Sequence, residues 1–188
     1  MSSQPQVKSN SNKSNSKSDQ TNTNLTWEEI LRATRIDKQH IDFAIAHIDT
    51  APVIPYEFIY NQFASDVKVF HPASIAVSGT GGVIGSVLAL RHARAVKYFV
   101  TTQEVLNSNE KSPLFLAKYA LELLSKKYSD VEVITIELND FEKIKLLLSY
   151  GGIYISGLPY EITILISQLA GFGRLWHFSN ISRKFYVF

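Results

Sequence analysis

The sequence predicts an α/β protein: a Rossmann-like doubly wound domain with a mainly parallel sheet, preceded by a short helix-turn-helix-like segment. Two observations carry this expectation. From Ser74 onward, short β-branched runs alternate with helical stretches. Such alternation gives a parallel sheet covered on both faces, because right-handed crossovers place the helices there. Glycine loops follow the first and fourth runs, at Ser78-Gly79-Thr80-Gly81-Gly82 and Ser156-Gly157, where the strand-to-helix turns of these folds lie.

Taken in order, residues 1–24 hold a single aliphatic side chain, Val7, among Ser, Asn, Gln, Thr and Lys. Such a segment buries too little apolar surface to offset its ordering entropy, so it reads as a disordered tail. The formal charge of the chain is +2, and Lys8, Lys13 and Lys17 against Asp19 account for all of it. The remainder is neutral, which argues against a broad phosphate-binding surface. The chain has no cysteine. That excludes disulfides, thiolate catalysis and zinc sites built on sulfur.

Thr26 and Glu29 form a capping box, flanked by Leu25 and Ile30 as a hydrophobic staple, so a helix is expected from Thr26 to about Thr34. A second starts at Asp37, with Ile41, Ala44, Ile45 and Ile48 on one face and Pro52 as its stop. The pair resembles a helix-turn-helix, leaving open DNA binding through residues 26–49 or plain packing. A reading helix with Asp37 and Asp42 beside Lys38 is poorly charged for DNA. Residues 53–70 fit a hairpin or a short helix equally. The domain reading is therefore a tail over 1–24, a helical segment over 25–70 and the sheet domain over 71–188.

Within that domain, strands are expected at 75–77, 96–100, 131–137, 153–155 and 175–178, with 185–188 as a final antiparallel candidate. Helices are expected at about 83–94, 113–128, 140–149 and 160–170. Ser112 before Pro113, Asn139 with Glu142, and Pro159 mark three of the helix starts. A strand order of 3-2-1-4-5 makes strands one and four neighbours where the winding reverses, so the two glycine loops face each other across the crevice where such folds bind ligands. Exposed N–H groups and the helix dipole there favour an anion such as phosphate. The alternative is that strand-to-helix turns need glycine for their own geometry.

Two nucleotide chemistries are disfavoured. Gly85 is followed by Ser86 rather than Lys, which a phosphate-binding P-loop requires. The dinucleotide fingerprint meets Gly79 and Gly81 but finds Ile84 at its third glycine, and Thr101 and Thr102 stand where an acidic ribose ligand belongs. Thr101, Thr102 and Gln103 could instead donate hydrogen bonds to a ribose or base.

On these residues, the stretch 74–178 resembles the CRISPR-associated Rossmann fold, the CARF domain. The matching features are Val77-Ser78-Gly79-Thr80-Gly81-Gly82, Val100-Thr101-Thr102, Val131-Glu132-Val133-Ile134-Thr135-Ile136, the helix introduced by Asn139-Asp140, and Ile153-Tyr154-Ile155-Ser156-Gly157 leading to a helix ending Gln168-Leu169-Ala170. The resemblance implies a homodimeric sensor in CRISPR-linked antiviral defence, binding cyclic oligoadenylate or a related nucleotide at its twofold crevice. It implies that Ser78, Gly79, Thr80 and Gly81 cradle phosphate, while Thr101 and Gly157 line the adenosine pocket; Gly82, Thr102, Gln103 and Ser156 complete the expected ligand-binding set. One departure is Glu161, near where the family often has Lys or Arg; a carboxylate there opposes a phosphodiester.

The enzymatic alternative is a small metal-independent ring nuclease using Ser78; further alternatives are a DNA-binding regulator and a non-catalytic interaction scaffold. Arg35 and His40 match the Arg-x4-6-His spacing of CARF-linked ribonucleases, but that motif belongs to a larger helical domain than the sequence leaves room for. His92 reads as a helix-end cation and His177 as sheet packing. No cofactor and no metal site is expected. Glu161 and Arg174 interrupt the longest apolar stretch and no basic-then-apolar leader opens the chain, so a cytoplasmic protein without a membrane span is expected.

Overall fold

The computed structural model describes residues 25–53, 56–58, 71–170, 175–179 and 184–187. The tail over 1–24 and most of the undecided stretch 53–70 lie outside the described residues. The chain builds α1 (Trp27–Arg32), α2 (Lys38–Ala46), a 3-10 turn (Ile48–Thr50), β1 (Tyr56–Phe58) and β2 (Pro72–Ala76). After β2 come a 3-10 turn (Thr80–Gly82), α3 (Val83–His92), β3 (Tyr98–Thr101), α4 (Gln103–Leu106) and α5 (Phe115–Lys127). The remainder is β4 (Glu132–Thr135), α6 (Phe141–Tyr150), β5 (Gly152–Tyr154), α7 (Tyr160–Leu169), β6 (Leu175–Ser179) and β7 (Lys184–Val187).

The sheet runs β1-β7-β6-β5-β2-β3-β4. Its five strands from β6 to β4 are all parallel, and β7 joins β6 antiparallel. The α/β doubly wound fold class expected from sequence is the one observed. Strand periodicity explains the two-sided cover. Ile75, Phe99, Tyr154 and Trp176 face one layer, with Val87, Leu88, Leu121 and Leu124 from α3 and α5. Their neighbours Ala76, Val100, Ile153 and Leu175 face the other layer, with Ile144 and Leu147 of α6 and Ile162 and Ile166 of α7.

The first layer also takes in α1 and α2. Ile30, Ile41, Ala44, Ile45 and Ile48 are buried in the same core as the sheet. Polar ties fix them there: Tyr119 of α5 donates to Asp42 at 2.6 Å, and the Lys127 ammonium reaches the Ile45 carbonyl at 2.9 Å. The Lys38 ammonium lies over the rings of Phe115 and Tyr119, 4.9 and 5.2 Å from their centroids.

Two local expectations are corrected, and one element was missed. Asn139 and Glu142 do not cap α6. Asp140 stands at its N-cap, and its carboxylate takes the Glu137 amide at 2.8 Å and Lys143 at 3.1 Å instead. Helix α5 starts at Phe115 rather than Pro113; Ser112 organises the turn before it by accepting from the Leu114 amide. The short α4, capped by Thr102, was not legible, because four residues are too few to show a helical period.

Candidate functional site

The residues expected to bind a ligand lie at the C-terminal ends of β2, β3 and β5. The neighbouring β2 and β5 put the two glycine loops side by side, as the strand order from sequence implies. What lies between them is backbone in contact. A Cβ built on Gly79 would sit 3.0 Å from both the Cα and the carbonyl oxygen of Gly157; one built on Gly157 would sit 2.9 Å from Gly79 Cα and N. Gly157 also has φ +80, a left-handed conformation that glycine adopts without steric cost. A Cβ on Gly82 would fall 2.5 Å from the Ser156 carbonyl oxygen. The glycines bring loop against loop, and the crevice is closed at these positions.

The polar members of the set are used locally or turned inward. Ser78 and Thr101 are buried, 3% and 0% exposed, and neither hydroxyl has a hydrogen-bond partner among the described residues. Thr80 Oγ1 donates to the Pro113 carbonyl, tying the first loop to the start of α5. Gly81 lies within the 3-10 turn, which Gly82 closes by donating its amide to the Gly79 carbonyl at 2.9 Å. Thr102 accepts from the Val105 amide as the α4 cap, and Gln103 Nε2 donates to Asn107 at 3.2 Å. Ser156 is buried at 8% exposure beneath Gly82, and Glu161 is exposed in the first turn of α7.

Ser86 is the residue that sequence reading undervalued. Noted only as the absence of a P-loop lysine, it is buried in α3, and its hydroxyl contacts the Ala76 carbonyl at 2.6 Å and the Gly82 carbonyl at 2.8 Å. It fastens the helix to both the strand and the loop that it follows. A lone hydroxyl inside the apolar run Val83-Ile84-Gly85-Ser86-Val87-Leu88 was the available signal.

The remaining candidates have structural partners. His40 Nδ1 lies 2.8 Å from Asp37 Oδ1 and closes the α2 capping box, so the Arg35–His40 spacing serves a helix start. His92 corrects its reading as a solvated helix-end cation. It is half-buried, its carbonyl is met by the His71 ring, and its own ring lies 6.4 Å from Trp176. Burial above all, with Arg91 and His71 nearby, pushes its pKa down. Among the described residues no three His, Asp or Glu side chains are grouped to hold a metal ion. Nor is any helix among them long and apolar enough to cross a membrane.

Two surface clefts are lined by other residues, the first of them including Pro113, to which Thr80 of the first glycine loop is tied. One, of about 980 Å³, runs between the start of α2 and the turn before α5, with Lys38 and Glu110 3.5 Å apart in its wall. The other, of about 820 Å³, lies where β3 and β4 begin, among Arg91, Arg94, Lys97, Asp49, Asp130 and Glu132.

No protein-family model matches this sequence, and no solved structure matches it significantly. The chain is 53% identical over 167 residues to the "Structural protein ORF187" of Acidianus two-tailed virus, an alignment covering 86% of this chain and 89% of that protein. This overturns the expectation of a cyclic-oligoadenylate sensor, with its ring-nuclease alternative and its place in CRISPR-linked antiviral defence. Among the loop residues that carried the resemblance, Gly79, Gly82 and Gly157 stand where one loop packs closely on the other. With identity at that level along nearly the full length of both proteins, this chain belongs to the family of the Acidianus two-tailed virus structural protein ORF187.

Proposed function

We propose that this chain is a structural subunit of a virus particle, acting through its surfaces rather than through chemistry in a crevice. The observation that carries this reading is the 53% identity to a protein named as structural. The closed switch point supports it: Gly79 and Gly157 fill with backbone the position where a doubly wound fold opens to a ligand. The test is recovery of the chain from virus particles banded on a density gradient and then stripped of surface contaminants with protease. Recovery in constant ratio to the other particle proteins is expected. Recovery only from the soluble lysate, with none in the particles, would overturn the proposal.

A further inference from the structure

We infer that the free edge of β4 is an interface between two copies of this chain, pairing antiparallel with β4 of the second copy about a twofold axis at Ile134. The observation behind it is the state of that edge. Among the described residues β4 is the last strand of the sheet, hydrogen-bonded on one side only, to β3. The amides of Glu132 and Ile136 donate inward to the carbonyls of Lys97 and Thr101. By strand alternation the N–H and C=O groups of Val133 and Thr135 point outward. Apart from the Thr135 carbonyl, which the Lys143 ammonium meets with one lone pair left over, no partner for these groups lies among the described residues, and such a row is a template for a further strand.

The side chains around the edge are apolar for an outer position. Val133 is 36% exposed, and on the α6 side Leu146 and Tyr150 are 50% and 44% exposed. Among the described residues no helix of the second layer covers β4 fully, and Ile134 is only half-buried at the margin of that core. A monomer gains nothing from this margin, whereas a second copy lying alongside extends both the sheet and the apolar layer.

Hydrogen-bond geometry and charge fix the register. Outward residues must face outward residues in an antiparallel pair, and the Glu137 amide is already taken by Asp140, which leaves Val133 opposite either Thr135 or Val133 of the second copy. The second choice brings the two Glu132 carboxylates diagonally together, a like-charge contact. The first separates them by the Ile134 pair. It also carries each Glu132 to the end of the other copy's β4, where Lys143 lies 2.7 Å from the Thr135 carbonyl and 3.1 Å from Asp140. Lys143 occupies one lone pair of that carbonyl, and the second remains for the Val133 amide of the other copy. Edge lysines commonly guard against pairing; here the same ammonium supplies the cation that Glu132 of the second copy lacks.

The inference rests on the structural-subunit reading for its purpose, since a particle subunit must hold other subunits, but its test is independent. In the chosen register the Ile134 pair is non-hydrogen-bonded, with Cα atoms about 4.5 Å apart, within the span of a disulfide of about 4.4 to 6.8 Å. The chain has no cysteine to interfere. Full-length Ile134→Cys is expected to form a covalent dimer under mild oxidation, while Val133→Cys stays largely uncrosslinked. Sedimentation of the wild type should show a concentration-dependent dimer, weakened tenfold or more in Val133→Pro. That variant loses an outward amide which the chain's own ladder does not use. Should it fail to fold, the Glu132→Lys and Lys143→Glu variants serve instead: each alone is expected to weaken the dimer, and the pair together to restore it. A wild type monomeric to millimolar concentration, a dimer indifferent to these changes, or crosslinking of Val133→Cys without crosslinking of Ile134→Cys would overturn the interface. Presence in particles without this dimer sinks only the interface; a dimer without particle incorporation sinks only the structural-subunit reading.

Discussion

Gly79 and Gly157 touch through their backbones: a methyl group added to Gly157 would lie 2.9 Å from the Gly79 Cα and amide nitrogen. Real Cβ atoms do not approach so closely, and the obstructing atoms are main chain. The contact joins the turns after β2 and β5 and seals the sheet at its switch point.

The first prediction concerns that seal. Gly157→Ala forces an L residue to φ +80, costing about 1–2 kcal/mol, and the overpacking adds about 1–3 kcal/mol. Urea unfolding of Gly157→Ala should therefore show a loss of about 2 kcal/mol or more. A loss below about 0.5 kcal/mol would mean that the loops separate readily.

Ser86 offers a second measurement. Its hydroxyl lies between two buried carbonyls, those of Ala76 and Gly82. Ser86→Ala removes that donor and is expected to cost about 1–3 kcal/mol in the same assay. Ser86→Thr keeps the donor but adds a methyl group to a site with no exposed surface, so only partial recovery is expected.

The tie between α2 and α5 has a pH signature. The hydrogen bond from the Tyr119 hydroxyl to Asp42, with burial and the Asp42 charge, raises the phenol pKa from 10.0 to about 12. A group with a raised folded pKa stabilises the fold fully below its unfolded value and ceases to do so as pH climbs through its folded value. Stability from Tyr119 should therefore be constant to about pH 10 and decline from there to about pH 12. Tyr119→Phe should remove that part of the alkaline decline and cost about 0.5–1.5 kcal/mol at neutral pH.

At the acid end His92 and His177 act in the opposite sense. Burial lowers both pKa values below 6.5, with Arg91 and His71 adding to the effect at His92. The unfolded chain then binds more protons than the folded one as pH falls through 6.5, so stability decreases from there down toward the lowered folded values. Urea midpoints followed from pH 7.5 to 5 should fall in the wild type and fall less steeply in His92→Gln. Identical slopes would show that the ring protonates in place without strain.

The glycine loops also show where sequence reading stops. The order of the five parallel strands, the antiparallel last strand and the meeting of the two loops at β2 and β5 all follow from local pattern plus the handedness of crossovers. The same residues, Ser78 to Gly82 and Ser156 to Gly157, fit an open phosphate cradle and a closed backbone contact equally well, because glycine permits both. The choice depends on how closely two segments far apart in sequence approach each other, which packing of the layers decides.

By itself, then, the sequence determined what is local and periodic: where strands and helices alternate from Ser74 onward, where α1 starts at the Thr26 capping box, and which face of α2 is apolar. Tertiary structure alone decided what that α2 face meets, placing it against the sheet's own helical layer with Lys38 over two aromatic rings. It also paired β1 with β7 at one end of the sheet and, among the described residues, left β4 as the outermost strand at the other. Periodicity reports that a face will be buried because one side chain's polarity is a local property. Which surface buries it, and which edge is left over, depends on how all the layers fill space together.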